Sequence, residues 1–143
     1  MNKVFIASDH GGFSLKKEIM NHFKNFEFVD LGPTSEASVD YPDYAQKLCK
    51  AVLESKDARG ILICGTGQGM AMQSNRFKGI RAALCWNTES AQLSRDHNDS
   101  NVLCLGARLL PSPLPLQITE VWLNTAFSGG RHLERIKKLD FSF

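Results

Sequence analysis

The sequence lacks an apolar run long enough to cross a membrane. Hydrophobic residues make up 43% of the chain, but they fall in short stretches, whereas a membrane-spanning helix needs about 20 consecutive apolar residues. The N-terminus passes from Met1-Asn-Lys directly into Val4-Phe-Ile-Ala, without the long apolar core and cleavage site of a secretory signal. We therefore expect a protein that does not associate with membranes and is located in the cytoplasm.

A strong charge of one sign is also missing. The 17 lysines and arginines nearly balance the 15 aspartates and glutamates, which leaves a formal net charge of +2. A domain that binds nucleic acid through its phosphates carries a larger basic excess. The composition therefore predicts no nucleic-acid partner.

The four cysteines lack the spacing of a metal site. Cys49, Cys64, Cys85 and Cys104 lie in separate apolar runs, far from the short repeats that bind zinc. A chain of 143 residues forms a single domain that buries its own core, and a cytoplasmic domain of this size needs no disulfides. We expect reduced thiols and no bound metal, with Cys49, Cys85 and Cys104 in the core.

The remaining sequence alternates strand-like apolar runs with amphipathic helical patterns. Strands are predicted over residues 3–7, 26–31, 61–63, 79–86 and 102–105. Helices are predicted over 13–24, 41–55, 70–77, 88–95 with Thr88 as N-cap, and 111–127, followed by a basic helix that contains Arg131 and Arg135. This alternation predicts one α/β domain over residues 1–143, a three-layer α/β/α Rossmann-like fold with a five-stranded, mostly parallel sheet. The strand order stays open.

A glycine-rich loop follows the third predicted strand, in the segment Gly60-Ile-Leu-Ile-Cys-Gly-Thr-Gly-Gln-Gly-Met. Because a helix follows the loop, backbone N–H groups and the positive end of the helix dipole converge there, which favours an anion. A P-loop needs a lysine after its glycines, and none lies between Gly65 and Lys78. A dinucleotide-binding loop needs a third glycine where Met70 stands. Neither ATP nor a dinucleotide cofactor is predicted.

Several polar or reactive residues stand where an open α/β sheet carries its functional groups. Cys64 ends the third strand, where it is either a buried apolar residue or a reagent. Asp9 and His10 follow the first strand, where Asp9 is either a helix cap or a functional group.

Two further groups of residues allow two interpretations each. His97 and Asn98 precede the fifth strand, in a turn that is either solvated or part of a site. Arg131 and Arg135 are four residues apart, so on a helix they share one face and either clamp a phosphate or form a solvated surface.

Taken together, these segments resemble ribose-5-phosphate isomerase B, a branch of the ribose/galactose phosphate isomerase family. The resemblance extends from residue 3 to about residue 139, and its motifs stand in the family's order. They are Ser8-Asp-His-Gly-Gly, Asp40-Tyr-Pro-Asp-Tyr-Ala, the glycine-rich segment, Asn75-Arg-Phe-Lys-Gly-Ile-Arg-Ala, Ser90-Ala-Gln-Leu-Ser-Arg-Asp-His-Asn-Asp-Ser-Asn-Val-Leu, Leu105-Gly-Ala-Arg and Gly129-Gly-Arg-His.

The resemblance implies an aldose–ketose isomerase that works through an enediolate, without metal or organic cofactor. By resemblance Cys64 is the base that moves the proton between C2 and C1, and a helix N-terminus favours its thiolate. The loop amides of Gly65, Gly67, Gln68 and Gly69 would bind the substrate and form an oxyanion hole.

The other site residues are also carried over from the family. His97 would open the sugar ring, with Asp9 near the sugar hydroxyls, because imidazole exchanges protons near neutral pH. Thr66 and Asn98 would orient the substrate. The phosphate would be bound by His10, Arg108, Arg131 and Arg135. The family shares its active sites between two subunits, so we expect a homodimer or a dimer of dimers that acts in the non-oxidative branch of the pentose phosphate pathway.

One position, Met70, decides between two branches of the family. A glutamate replaces the cysteine in one branch, on the far side of the glycine loop, where this chain has Met70. The chain therefore resembles the cysteine type. Gln68 stands where some relatives carry an aliphatic residue. Isomerases of six-carbon sugar phosphates, allose 6-phosphate or galactose 6-phosphate, share most of these motifs, and a non-catalytic phosphosugar-binding subunit is a third possibility.

Overall fold

Five parallel strands form the centre of the computed structural model, which describes residues 3–141. The strands are β1 (Lys3–Ser8), β2 (Glu27–Asp30), β3 (Arg59–Cys64), β4 (Ala82–Leu84) and β5 (Val102–Gly106). They are ordered β2-β1-β3-β5-β4, and each neighbouring pair is parallel. The predicted sheet is confirmed, and the structure supplies the strand order that the sequence left open.

The described residues also form six α-helices, which cover both faces of the sheet. They are α1 (Phe13–His22), α2 (Tyr41–Glu54), α3 (Gln68–Ser74), α4 (Thr88–Asp96), α5 (Leu114–Asn124) and α6 (His132–Asp140). None of these helices is both long and apolar enough to span a bilayer.

The side chains of each strand alternate between two hydrophobic cores, as a pleated strand requires. Val4 and Ile6 point into a core shared with α1 and α5. Phe5 and Ala7 point into the opposite core, against α2 and α3. The predicted α/β/α layers are therefore confirmed.

Strand β4 is much shorter than the predicted span of residues 79–86. The chain turns at Gly79, whose φ is 91°, and enters the sheet only after that turn. The Asn75 amide then bonds both backbone groups of Ala82, donating to its oxygen at 3.0 Å and accepting from its nitrogen at 2.8 Å. Ala82 is thus tied to the end of α3 on the side away from β5, which leaves β4 at the edge of the sheet.

Helix α4 is capped by Asn87, and the prediction of Thr88 as the N-cap was wrong. Asn87 Oδ1 accepts from Ser90 N at 2.7 Å, and Ser90 Oγ in return accepts from Asn87 N at 3.2 Å. This reciprocal pair satisfies two N–H groups at the start of the helix that would otherwise have no intrahelical partner.

The last two helices also differ from the prediction at their ends. Helix α5 stops at Asn124 rather than near residue 127, and the Arg59 guanidinium donates to two of its last carbonyls, those of Trp122 and Leu123, at 3.2 and 3.0 Å. Arg131 is the N-cap of α6 rather than a residue inside it. Its φ and ψ of −61° and −20° are helical, so the four-residue spacing to Arg135 still places both on adjacent turns.

Candidate active site

The direction in which the chain adds strands to the sheet reverses between β1 and β3. The glycine-rich loop lies at this switch point. The chain leaves β1 toward β2 on one side, and leaves β3 toward β5 and β4 on the other. Ligands of open α/β sheets bind in the crevice that such a reversal opens at the carboxyl edge. Ser8 pairs with Ile63 in the sheet, and Asp9 N donates to Ile63 O at 3.1 Å. The ends of β1 and β3 therefore lie side by side.

The Cys64 thiol lies at this edge and receives a backbone hydrogen bond. Its Sγ accepts from Gly67 N at 3.2 Å, and the residue is only 5% exposed. The loop can fold back in this way because Gly67 has φ 80°, which a side chain would make unfavourable. The Gly67 N–H thus points at the sulfur atom, where a thiolate would carry its charge.

The other three cysteines differ from Cys64 in their surroundings. Cys49, Cys85 and Cys104 are buried in the two cores, as predicted. Burial raises the pKa of Cys49 and of Cys85, and raises that of Cys104 well above its usual value. These three thiols stay protonated and act as apolar core residues.

Only part of the predicted oxyanion hole is free to bind a ligand. Gly67 N donates to Cys64 Sγ, and Gln68 N donates to the Thr66 hydroxyl at 3.4 Å. Within residues 3–141, the amides of Gly65, Thr66 and Gly69 have no hydrogen-bond acceptor. These three N–H groups, rather than the whole loop, are available to an anionic oxygen.

Two larger side chains flank the loop. Arg108 N donates to Gly65 O at 2.9 Å, and its guanidinium lies so close that a Cβ on Gly65 would stand 2.9 Å from Nη1. The Tyr41 ring contacts the loop in the same way, since a Cβ on Gly69 would stand 2.5 Å from Tyr41 Cε1. The sequence analysis missed Tyr41, although its place at the start of the helix after β2 put it at this edge.

Asp9 and His10 each use one polar atom in holding the local backbone. Asp9 Oδ1 accepts from Gly12 N at 3.1 Å and so caps the 3₁₀ turn His10–Gly12. His10 Nδ1 accepts from Val39 N at 3.3 Å, so in neutral His10 this bond assigns the ring proton to Nε2. In the part of the chain that the structure describes, Asp9 Oδ2 and His10 Nε2 have no partner and are available to a substrate.

The remaining predicted residues lie at the opposite edge of the same sheet. Helix α4 leads from the carboxyl end of β4 back to the amino end of β5, so His97 and Asn98, which follow α4, lie at the amino edge. Arg81, just before β4, donates to Asn98 O at 3.0 Å. At about 3.3 Å per residue, β5 alone separates the two edges by about 16 Å. A single chain therefore does not bring Cys64 and His97 together.

His97 stacks on His132, the first residue of α6. The ring centroids are 4.3 Å apart and the planes differ by 16°. Partial burial lowers the pKa of His132, and the positive charges of His97, Arg131 and Arg135 lower it further against the opposing effect of Asp96. His132 was not predicted as a site residue, although it belongs to the Gly129-Gly-Arg-His segment.

The three predicted phosphate-binding arginines are exposed and carry no carboxylate partner in residues 3–141. Arg131 and Arg135 lie at the amino edge beside the histidine pair, whereas Arg108 lies at the carboxyl edge. Unpaired guanidinium groups are free to bind phosphate oxygens in a two-pronged contact. Within residues 3–141, each edge of the sheet thus carries guanidinium groups that are free to bind an anion.

These features define a doubly wound parallel α/β domain whose candidate site lies at the switch point of the sheet. The model of the Ribose/Galactose Isomerase family matches residues 4–139, and the chain belongs to this family. The chain is 43% identical to ribose-5-phosphate isomerase B of Escherichia coli (strain K12) over 141 residues, which cover 97% of this chain and 95% of that protein.

Two solved structures show the same fold. A ribose 5-phosphate isomerase from Thermotoga maritima has a TM-score of 0.94 and 47% identity, and the match covers 99% of each chain. Ribose-5-phosphate isomerase B from Mycoplasma genitalium, solved with bound ribulose-5-phosphate, has a TM-score of 0.91 and 44% identity over 96% of this chain and 93% of that chain.

Proposed function

We propose that this chain interconverts ribose 5-phosphate and ribulose 5-phosphate through an enediolate. The observation that carries the proposal is the Cys64 thiol, which accepts a backbone hydrogen bond at 3.2 Å beside three amides without acceptors in residues 3–141. The names of the relatives, and the ribulose-5-phosphate in the Mycoplasma genitalium structure, support the choice of substrate. We place the reaction in the cytoplasm and in the non-oxidative branch of the pentose phosphate pathway.

The proton transfer uses Cys64 in both directions. The thiolate removes the proton from C2 of the open-chain aldose, and the electrons of the C–H bond form the C1–C2 double bond of the enediolate. The negative charge that collects on O1 is bound by the amides of Gly65, Thr66 and Gly69. Cys64 then returns the proton to C1 while the proton on O2 passes to O1, which leaves the carbonyl at C2 and completes the ketose.

Ring opening comes before proton transfer, because the sugar enters as a closed ring. His97 takes the proton of the anomeric hydroxyl as the C1=O bond forms and the C1–O bond of the ring breaks, and it returns that proton to the ring oxygen, which becomes a hydroxyl of the open chain. Asp9 Oδ2 accepts hydrogen bonds from the sugar hydroxyls. Thr66 and Asn98 orient the open chain.

The active site is assembled from two copies of the chain, in a homodimer or a dimer of dimers. One copy supplies Cys64, the glycine-rich loop and Asp9 at its carboxyl edge. The other supplies His97 and Asn98 at its amino edge, because within one chain the two edges are about 16 Å apart. Because a two-fold axis repeats every contact, such a dimer contains two identical sites.

The phosphate is bound by hydrogen-bond donors from both edges. His10 donates through Nε2 and Arg108 through its guanidinium, next to the glycine-rich loop. Arg131 and Arg135 of the second copy bind the remaining phosphate oxygens. Their lack of carboxylate partners in residues 3–141 supports this role, because a surface arginine that binds an anion must not already be paired.

A coupled assay of the purified protein tests this function. The protein is first treated with a chelator and then given ribose 5-phosphate, allose 6-phosphate or galactose 6-phosphate. We expect isomerisation of ribose 5-phosphate with kcat/KM at least about a hundredfold above either hexose phosphate, a preference of about 2.7 kcal/mol. A hexose phosphate with comparable kcat/KM would assign the six-carbon activity instead, and binding without turnover of all three would leave a phosphosugar-binding subunit.

A further inference from the structure

Arg81 connects the two segments of the amino edge that carry the proposed site residues. Its guanidinium donates five hydrogen bonds, each no longer than 3.1 Å. Nε bonds the backbone oxygens of Asn98 and Asp99, Nη2 bonds Asp99 O again, and Nη1 bonds both carboxylate oxygens of Asp140 at 2.9 and 2.8 Å. One side chain therefore holds the turn after α4 and the last residue of α6.

The other end of α6 is held against the same turn by different contacts. There His132 stacks on His97 with ring centroids 4.3 Å apart, and Ser128 N and Oγ, just before the helix, both donate to Asp96 O at 3.1 and 2.8 Å. From the first to the last residue of α6 the axial rise is about 12 Å. The helix is thus fixed to one turn at two points that lie far apart.

Arg135 and the N-cap Arg131 depend on both attachments for their position. A helix held only at its first turn can swing about that point, and a small rotation there moves the guanidinium groups by an ångström or more. A misplacement of 1 Å can reduce catalysis about a hundredfold. The bonds from Arg81 to Asn98 O and Asp99 O fix the turn itself, and with it His97.

We propose that Arg81 is a positioning residue of the isomerase, which holds the His97–Asn98 turn and the phosphate-binding helix α6 in one fixed arrangement. The proposal rests on the proposed function, because it presumes that Arg131 and Arg135 bind the substrate phosphate. Arg81 does not touch the substrate. It lies before β4, is 16% exposed, and already uses Nε, Nη1 and Nη2 in bonds to the protein.

Two substitutions separate the contacts of Arg81. Asp140→Asn weakens the attachment of α6 and leaves the bonds from Arg81 to Asn98 O and Asp99 O in place. Arg81→Gln removes both sets of bonds. Glu134→Gln is the matched control, because it removes one negative charge from the same helix, where Glu134 forms, within residues 3–141, only an exposed ion pair with Lys137 at 3.4 Å.

The readouts are KM and kcat for ribose 5-phosphate and the inhibition constant of inorganic phosphate. For Asp140→Asn we expect both KM and the phosphate inhibition constant to rise about tenfold, with kcat reduced less than threefold. For Arg81→Gln we expect the same rise and, in addition, kcat reduced about tenfold, because the His97 turn is loosened. Arg81→Lys recovers only part of the loss, since an ammonium cannot make the fork of bonds.

The His132 titration, followed by NMR well below the melting temperature, adds a readout that a purely stabilising role would not move. In Asp140→Asn we expect the pKa of His132 to rise toward its usual value, because α6 then swings about its first turn and its His132 ring packs less closely against His97. An unchanged pKa of His132 together with unchanged KM, as in Glu134→Gln, would overturn the proposal. This variant decides the question even where Arg81→Gln does not fold.

Arg131→Ala distinguishes this inference from the proposed function. If Arg131→Ala weakens phosphate inhibition while Asp140→Asn and Arg81→Gln match the control, the phosphate site stands and the positioning role of Arg81 is wrong. If Arg131→Ala and Arg135→Ala both leave phosphate inhibition unchanged, α6 does not bind the substrate phosphate, and the assignment of Arg81 fails together with that part of the proposed function.

Discussion

His97 and His132 stack nearly face to face, with ring centroids 4.3 Å apart and planes 16° from parallel. The pair joins the end of α4 to the start of α6. Two imidazolium ions at this distance would repel each other, so a positive charge on His97 lowers the pKa of His132. Of the charged groups around His132, Arg131 and Arg135 also oppose its protonation, and Asp96 favours it.

The first prediction is a titration of His132 below the usual histidine value of about 6.5, measured by NMR. Partial burial and then the charges of His97, Arg131 and Arg135 lower its pKa, and His97→Gln should raise it by removing one of those charges. A titration of His132 at or above its usual value would contradict the stacked arrangement in solution.

The same shift makes stability depend on pH in a defined direction. Because the folded state binds the His132 proton less readily than the unfolded state, this contribution is fully present above pH about 6.5 and is lost as the pH falls through the lower folded pKa. The difference in free energy of unfolding between the wild type and His132→Gln, measured by urea denaturation, should therefore move against the wild type as the solution is acidified.

Local patterns in the sequence were sufficient to predict the strands, the helices and the candidate residues. Alternating apolar residues and turn signals are properties of a few neighbouring positions, so β1, β3 and β5 were found with small errors. The error at Thr88 arose because Asn87 and Thr88 are both good capping residues, and only the bond from Ser90 N to Asn87 Oδ1 decides between them.

Contacts between distant segments could not be predicted in the same way. The strand order depends on which faces of the sheet the helices cover, and no local pattern records that. Cys64 and His97 were both singled out, but their separation across the sheet follows only from the observed direction of α4. Tyr41 and His132 were missed because their importance lies in a ring contact with Gly69 and with His97, each from another part of the chain.

The second prediction concerns Cys64. Cys64→Ala should lower kcat about a thousandfold or more while ribose 5-phosphate still binds, because the proton-transfer group is lost and the phosphate contacts remain. Iodoacetamide should inactivate the wild type by modifying Cys64, and substrate should protect it. Cys104→Ala is the control for the removal of a buried thiol at the sheet, and it should keep most of kcat. A Cys64→Ala enzyme with more than about a tenth of wild-type kcat would mean that another group is the base.

The third prediction separates binding from catalysis at α6. Arg131→Ala and Arg135→Ala should each raise KM for ribose 5-phosphate more than they lower kcat, because the phosphate is bound in the ground state and in the transition state alike. Lysine at either position should restore only part of the affinity, since it cannot form a two-pronged contact. Lys138→Ala, an exposed cation on the same helix, is the control. If both arginine variants keep the wild-type KM, the pair forms only a solvated surface.

The fourth prediction concerns Lys16, whose side chain is fully buried. Its Nζ donates to Asp30 Oδ1 at 2.9 Å and to Pro33 O at 2.6 Å, which ties α1 to the loop that follows β2. The same loop contains Val39, whose N–H donates to His10. Lys16→Met leaves the buried Pro33 O without its donor and leaves Asp30 Oδ1 with the bond from Gly32 N, and it should lower the free energy of unfolding by about 2 kcal/mol. This is less than the 3–5 kcal/mol typical of a fully buried pair, because the Asp30 side chain is 33% exposed.

The neighbouring Lys17 provides the control for Lys16. Lys17 is exposed and lies over the same Phe13 ring, with Nζ 5.4 Å from its centroid compared with 5.1 Å for Lys16. Urea denaturation of Lys17→Met should therefore show a change of no more than about 0.5 kcal/mol. Equal effects of the two substitutions would mean that the buried ion pair does not stabilise the fold.

The last prediction tests whether Cys64 of one subunit and His97 of another serve the same site. The two residues lie at opposite edges of the sheet, about 16 Å apart along β5, so a site that uses both requires two chains. Cys64→Ala and His97→Ala chains are unfolded, mixed in equal amounts and refolded. About half of the dimers will be mixed, and in a shared-site dimer each of these has one site with both substitutions and one intact site. About a quarter of wild-type activity should return.

If each chain used its own Cys64 and His97, every site in the mixed dimer would carry one substitution and no activity would return. Mixed dimers detected by native mass spectrometry but as inactive as their parents would therefore rule out the shared site, and so would a monomer that is fully active.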